Sequence, residues 1–324
     1  MKKILITGVS GFIGSALCNR LQSEHRVAGL YNRGKAGCPD LQQRFAADLA
    51  DHGLISEICM NVKPDVVIHC AGIAHQKAGS INRNTYFQIN SSATENLARA
   101  SGKANPRVQF IFLSSVSVYG EESLNLPVSE THPCHPTSDY GSSKLDAEKR
   151  LMSLNEKGRL KKTIILRLAP VYDREWSLNF DRRVMAPFRM AYLKIGSGNQ
   201  EMSALARPNL IDFIQFLIDH EFPVDDRVVI LNSCDMKPYT FHEVLDTFRR
   251  SERYPSRPVF RVPLPLILLA TTLAGYGYPS RKEWMHACYK KLASSLIFDN
   301  KRMLETGFTP IFSLEDIYLR GRGV

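Results

Sequence analysis

The sequence predicts an α/β fold, a doubly wound parallel sheet over residues 1–170 followed by a smaller C-terminal substrate lobe over 171–324. Three observations carry this. Short apolar runs alternate with helical patterns through the first half of the chain, and strand–helix–strand repetition forces right-handed crossovers and a mostly parallel sheet. The strand candidates are continuous apolar runs, as expected when both faces of a sheet are covered. A glycine-rich turn stands between the first run and the first helical segment.

Taken in order, the strand candidates are Ile4–Thr7, Val27–Leu30, Val66–His69, Phe110–Ser114 and Thr163–Leu168. Helix candidates between them include Phe12–Gln22, Tyr86–Ala100 and Tyr140–Leu154. After Pro170 the regularity fails, and the segment from Val171 to Pro208 is rich in charge and aromatics. A short strand at Val228–Leu231 and a helix at Thr240–Arg250 follow. The apolar stretch Val262–Leu273, VPLPLILLATTL, is shorter than the roughly 20 residues a membrane span needs. It predicts a buried helix or a subunit contact, with a membrane-surface contact as the lesser alternative.

Composition narrows the function classes. The chain has 324 residues, 44% hydrophobic and 23% charged, in the range of ordinary globular proteins. Its net charge is +10, which suits a polyanionic small ligand; no nucleic-acid-binding signature accompanies the scattered Lys and Arg residues, so no nucleic-acid partner is expected. Seven dispersed cysteines without a C-x-x-C pair argue against a disulfide framework or zinc site and for a reducing cytoplasm. The nine histidines lack metal-ligand spacing, so no metal is expected. The first strand begins at once, leaving no room for a signal peptide.

Thr7-Gly8-Val9-Ser10-Gly11-Phe12-Ile13-Gly14 follows the first strand and opens a helix. Glycines at these spacings give a tight turn, let backbone N–H groups approach a pyrophosphate, and permit close helix–strand packing. The context predicts a dinucleotide site. A second constellation comprises Ser115, at the end of the fourth strand candidate, with Tyr140 and Lys144 on a later helix. Tyr140 and Lys144 are four apart and share a helix face. A neighbouring ammonium favours phenolate, making a tyrosine with an ordinary pKa near 10 a usable base. Ser115 would hydrogen-bond the substrate oxygen beside it.

With these residues in place, the sequence resembles an extended short-chain dehydrogenase/reductase of the NAD-dependent epimerase/dehydratase family. The resemblance runs through TGVSGFIG at 7–14, AADL at 46–49, HCAG at 69–72, Asn90, LSSVSVYG at 113–120, YGSSK at 140–144 and LRLAPVY at 166–172. It implies a Rossmann domain and a catalytic set of Ser115, Tyr140 and Lys144. It implies that Gly8, Gly11 and Gly14, with Phe12 and Ile13 of the same turn, meet the pyrophosphate. Asp48 and Leu49 would neighbour the adenine, and Ala71 and Gly72 line the cofactor. Asn90 would keep the catalytic helix in order, while Tyr140 and Lys144 face the nicotinamide end. A homodimer pairing the helices at 86–100 and 140–154 is likewise implied. So is a nucleotide-diphosphate sugar substrate, UDP-linked by the similarity of 292–310 to polysaccharide enzymes.

Departures from the family refine the expectation. Members using NAD usually carry an acid at the end of the second strand; here the segment reads Gly29-Leu30-Tyr31-Asn32-Arg33. A guanidinium welcomes a 2′-phosphate, so Arg33 tilts the reading to NADP(H), with NAD(H) the alternative. Sugar dehydratases of the family place Asp-Glu after the catalytic Ser or Thr, whereas this chain has Val116-Ser117, leaving no general acid for water elimination. His75, Ser117, Asn179 and Arg207 are the substrate-binding candidates, Arg207 for the diphosphate. Asp173 stands where relatives have glycine. The expected chemistry is hydride transfer at C4 of the sugar. The sequence leans to a 4-keto-sugar reductase, with a UDP-sugar 4-epimerase holding NAD as the alternative. A non-catalytic dinucleotide-binding sensor or assembly subunit is the reading from another class.

Overall fold

Residues 1–32, 38, 41–74, 81–120, 127–220, 226–251, 257–278, 285, 289–290 and 292–321 are described by the computed structural model of the chain. Arg33 and His75 lie outside them.

The first half builds β1 (Lys3–Thr7), α1 (Phe12–Leu21), β2 (Arg26–Tyr31), β3 (Gln43–Ala46), α2 (His52–Val62) and β4 (Val66–His69). It continues through α3 (Arg83–Phe87), a π-helical turn at Gln88–Ser92, α4 (Ala93–Ala104), β5 (Gln109–Ser115), a 3-10 turn at Val116–Tyr119, α5 (Asp139–Glu156) and β6 (Lys162–Leu168). The expected strands and helices are present: most strands and the helix at 140–154 extend a residue or two further, Val66–His69 has the expected bounds, and the helices expected at 12–22 and 240–250 are one residue shorter. The candidate helix 86–100 is divided by the π turn, which carries Asn90.

Beyond Pro170 come β7 (Val171–Tyr172), α6 (Leu178–Val184), β8 (Tyr192–Ile195), β9 (Glu201–Met202), β10 (Leu205–Ala206) and α7 (Arg207–Asp219). They are followed by β11 (Val228–Ser233), β12 (Tyr239–Thr240), α8 (Phe241–Arg250), β13 (Val259–Val262) and α9 (Leu264–Gly277), and by short helices at Lys301–Glu305 and Leu314–Tyr318.

The main sheet has seven strands in the order β11-β6-β5-β4-β1-β2-β3, each neighbouring pair parallel. The strand order reverses between β1 and β4, and ligands of doubly wound folds bind at such a switch point, beyond the carboxyl ends of the strands. β11 comes from the second half of the chain, so that half returns to complete the first sheet beside β6.

Period-two alternation assigns each strand residue to a face, and both faces are apolar. Ile4 and Ile6 enter one core with Leu17, Leu210 and Ile214. Leu5, between them, enters another with Ile58, Leu97 and Leu151. A third core, in the smaller C-terminal region, gathers Tyr172, Phe180, Tyr192, Phe248 and Tyr318.

Of the readings of the apolar stretch, the buried helix is the one the fold does not give; a subunit contact and a membrane-surface contact stay open. The apolar stretch forms α9; among its described residues Gly275 alone is buried, Leu264, Ile267 and Ala274 are half-buried, and most of the remaining apolar side chains are exposed. The helix follows β13, which pairs with β8 in a two-stranded sheet apart from the seven-stranded one.

Candidate active site

The glycine turn is shaped by backbone proximity. Gly8 has φ of +74°, and a Cβ there would lie 2.9 Å from the Ala71 nitrogen. A Cβ on Gly14 would lie 2.3 Å from the Gly8 carbonyl oxygen. The turn therefore closes tightly against the end of β4, and α1 starts directly from it. Gly11 caps α1 without a side chain, and the first turn has no acid. That leaves the amino end of the helix, with Phe12 and Ile13, ready for an anion.

A buried chain of hydrogen bonds ties this turn to the π turn and α5. Thr7 Oγ1 accepts from the Ala71 amide at 3.2 Å and lies 2.7 Å from His69 Nδ1. His69 Nε2 lies 2.8 Å from Thr94 Oγ1, which donates to the Asn90 carbonyl. This pattern requires the Nε2–H tautomer, with Thr7 donating to Nδ1. Burial, seconded by the charge of Lys144, lowers the His69 pKa to about 3 and keeps the ring neutral.

Asn90 then clamps the loop after β4. Its Oδ1 accepts from the Ile73 amide at 2.7 Å, and its Nδ2 donates to the Ile73 carbonyl at 3.0 Å and to Ser143 Oγ at 3.1 Å. A Cβ on Gly72 would sit 3.0 Å from Asn90 Oδ1 and 3.5 Å from Lys144 Nζ. Ala71 and Gly72 thus form a floor beside the lysine that only a side-chain-free residue leaves open. Asp48 follows β3 at the same sheet edge, exposed, with Leu49 buried beside it. The tight glycine turn, uncapped helix end, open floor and edge carboxylate together fit an extended dinucleotide.

Ser115, Tyr140 and Lys144 are brought together by β5, the 3-10 turn and α5. Ser115 caps the 3-10 turn by accepting from the Ser117 amide and donates to Ser117 Oγ at 3.1 Å. α5 is capped by Ser138. Its Gly141 lies so close to the 3-10 turn that a Cβ would fall 2.5 Å from the Ser117 oxygen. This contact brings Tyr140 within hydrogen-bonding reach of Ser115.

The electrostatics differ from the simple expectation. Burial raises the Tyr140 phenol above its ordinary value, the Ser115 hydrogen bond opposes that rise, and nearby Tyr86 adds to it. The Lys144 ammonium is spent elsewhere in this state, donating to the Leu113 carbonyl at 2.8 Å over the Phe112 ring. Burial lowers Lys144 to about 8.

Behind this set lies an ion pair that sequence reasoning missed. Glu148, one turn after Lys144 on α5, is fully buried and takes both forks of Arg167 from β6 at 2.7 and 3.2 Å. Glu148 also accepts from Ser114, the neighbour of Ser115. Arg167 donates to Tyr119 Oη at 3.0 Å, and Tyr119 donates to Asn232 of β11. An arginine inside an otherwise apolar strand, LRL, was the available signal; its partner on a helix could not be chosen without the fold.

The substrate candidates separate. Ser117 stands in the 3-10 turn beside Ser115. Arg207, first residue of α7, is not deep in the smaller region but against the glycine turn. It pairs with Asp173, stacks on Phe12 at 4.5 Å and reaches the Phe12 carbonyl at 3.4 Å, with Trp176 completing the cluster. Asn179, half-buried on α6, lines a small cleft with Val171, Phe180 and Ala204.

Fold and site together define a dinucleotide-binding oxidoreductase scaffold with a serine–tyrosine–lysine set. The chain belongs to the NAD dependent epimerase/dehydratase family, whose model matches residues 4–229. A UDP-glucose 4-epimerase of Vibrio cholerae is 28% identical over 283 residues, covering 82% of this chain and 79% of its own length. The N-acetyl-α-D-glucosaminyl-diphospho-ditrans,octacis-undecaprenol 4-epimerase of Escherichia coli O157:H7 is 23% identical, covering 96% and 91%. A short-chain dehydrogenase/reductase superfamily protein from Agrobacterium tumefaciens, solved with bound NAD, has the same fold, with a TM-score of 0.76, 21% identity and coverage of 99% and 95%.

Proposed function

We propose that the protein is a 4-epimerase of a diphosphate-linked hexose, a UDP-sugar in the first instance, retaining NAD through the cycle. The observation that carries the reading is the 3-10 turn at the active site. Val116 and Ser117 occupy it where a dehydratase needs carboxyl groups, and Ser117 Oγ accepts from Ser115. The chemistry left to the set is reversible oxidation of an alcohol. Tyr140 takes the proton from the C4 hydroxyl and later returns it to the C4 oxygen. Ser115 holds that oxygen, and Lys144, one helical turn from Tyr140, is the cation placed to stabilise the phenolate. The nicotinamide, when bound, supplies the hydride acceptor and donor that the side chains lack.

The similarity to two 4-epimerases over most of the chain turns the sequence's leaning toward a reductase into the second reading. That second reading keeps one support, the segment Tyr31-Asn32-Arg33 without an acid after β2, and with it the case for NADP(H). Arg207 and Asn179 are assigned to the substrate side, Arg207 to a diphosphate near the glycine turn. A homodimer through α4 and α5, and cytoplasmic residence, belong to the same proposal.

Incubating the purified protein with UDP-glucose and UDP-N-acetylglucosamine, without added cofactor, tests it. The proposal expects conversion to the C4 epimer with stoichiometric NAD released on denaturation. Turnover of a 4-keto sugar only when NADPH is added would establish the reductase. Replacing Tyr140 by Phe should abolish turnover and leave dinucleotide binding intact, whereas a sensor would keep its function.

A further inference from the structure

We infer that α9 is an interfacial membrane anchor that embeds in the surface of an anionic bilayer. The helix runs Leu264–Gly277 with the sequence LPLILLATTLAGYG. Consecutive apolar residues leave no polar side, and a helix apolar all round belongs in an apolar medium. The protein covers one side only, with Leu264, Ile267 and Ala274 half-buried and Gly275 buried. Leu266 is 56% exposed, Leu269 54%, Leu273 60% and Tyr276 77%. Phe260 on the preceding strand is 57% exposed, extending the same surface.

The polar groups of the helix are arranged for such a medium. Thr271 Oγ1 donates to the Ile267 carbonyl at 2.9 Å and Thr272 Oγ1 to the Leu268 carbonyl at 2.7 Å, so the hydroxyls are satisfied within the helix. Pro263 at the cap and Pro265 in the first turn remove two amide donors that would otherwise lie unpaired at the amino end. At about 1.5 Å per residue the helix is roughly 20 Å long, short of the roughly 30 Å hydrocarbon core, so it lies in the interface and does not span. No helix among the described residues is long and apolar enough to cross a membrane.

Charge selects the occupant. Among the described residues 257–278 there are two cations, Arg257 and Arg261, and no acid. Arg257 and Arg261 are exposed immediately before the helix. A bilayer of anionic lipid offers the complement: phosphates for the arginines, acyl chains for the leucines, and a boundary for the tyrosines at the carboxyl end.

Flotation of the full-length protein with vesicles of phosphatidylcholine and phosphatidylglycerol tests the inference. Wild type should float with mixed vesicles and much less with phosphatidylcholine alone, and salt should weaken the difference. The double variant L269D/L273D should lose vesicle partitioning by at least about tenfold while its thermal unfolding and dinucleotide binding stay those of the wild type. R257E/R261E should lose the preference for anionic vesicles but keep its fold. Absence of flotation by wild type, or flotation unaffected by L269D/L273D, would overturn the inference. So would a dimer in vesicle-free solution that L269D/L273D converts to monomer.

Discussion

Replacing Lys144 by Met is predicted to abolish turnover and at the same time to stabilise the cofactor-free protein at neutral pH. The side chain is 5% exposed, and burial pulls its ammonium from 10.5 down to about 8. That difference corresponds to about 3 kcal/mol spent on burying the charge at pH 7. Methionine keeps the apolar stem against Phe112 but forfeits the hydrogen bond to the Leu113 carbonyl, worth about 1 kcal/mol. A net gain on the order of 1–2 kcal/mol follows. The pH dependence fixes the sign independently. Because the folded value lies below the unfolded one, the unfolded chain holds more protons between about pH 8 and 10.5. Wild type therefore gains stability as pH rises through that window, and its deficit against the variant is widest below pH 8. Urea unfolding of both proteins, stripped of dinucleotide, at pH 7 and about pH 9.5 measures the gap. A variant less stable than wild type at pH 7, or a gap equal at both values, would refute the buried-charge reasoning.

Other consequences follow from the same geometry. Gly14→Ala forces a Cβ onto the Gly8 carbonyl and should cost about 1–3 kcal/mol in stability; dinucleotide titration should show weakened binding, and unchanged affinity would mean the turn does not hold the ligand. Arg167→Met leaves Glu148 buried and unpaired and should cost about 3–5 kcal/mol, with most of it recovered in Glu148→Leu/Arg167→Met; equal destabilisation of the single and double variants would contradict this. Protonation of the unfolded chain against a buried His69 held at about 3 makes stability fall with pH below 6.5, by about 2 kcal/mol at pH 5. His69→Asn should flatten that slope, and an unchanged slope would exclude His69 as its source.

Much of this was legible in the residues because local chemistry and fold agreed. Ile4–Thr7 followed by three spaced glycines allows few structures other than a strand, a tight turn and a helix. Tyr140 and Lys144 need only helical spacing to share a face. What escaped was non-local. β3, reading QRFA, is a half-exposed edge strand with little apolar signal. Val228–Leu231 read as a strand, but nothing local says that it returns to β6. Arg167 stands out inside an apolar strand, but Glu148 looks like a surface charge until the fold seals the two together. α9 misled in the opposite sense, because apolar composition ordinarily means burial within the chain. Lys144 was expected to lower the phenol of Tyr140, yet its ammonium donates to the Leu113 backbone carbonyl.

The most direct test of the proposed chemistry uses a UDP-hexose carrying deuterium at C4, incubated with the purified protein and no added cofactor. An epimerase that passes the label to its own dinucleotide and returns it gives the 4-epimer with deuterium retained, at a rate reduced by the isotope. Epimer formed with loss of deuterium to solvent, or at an unchanged rate in Tyr140→Phe, would contradict hydride transfer at C4 by this site.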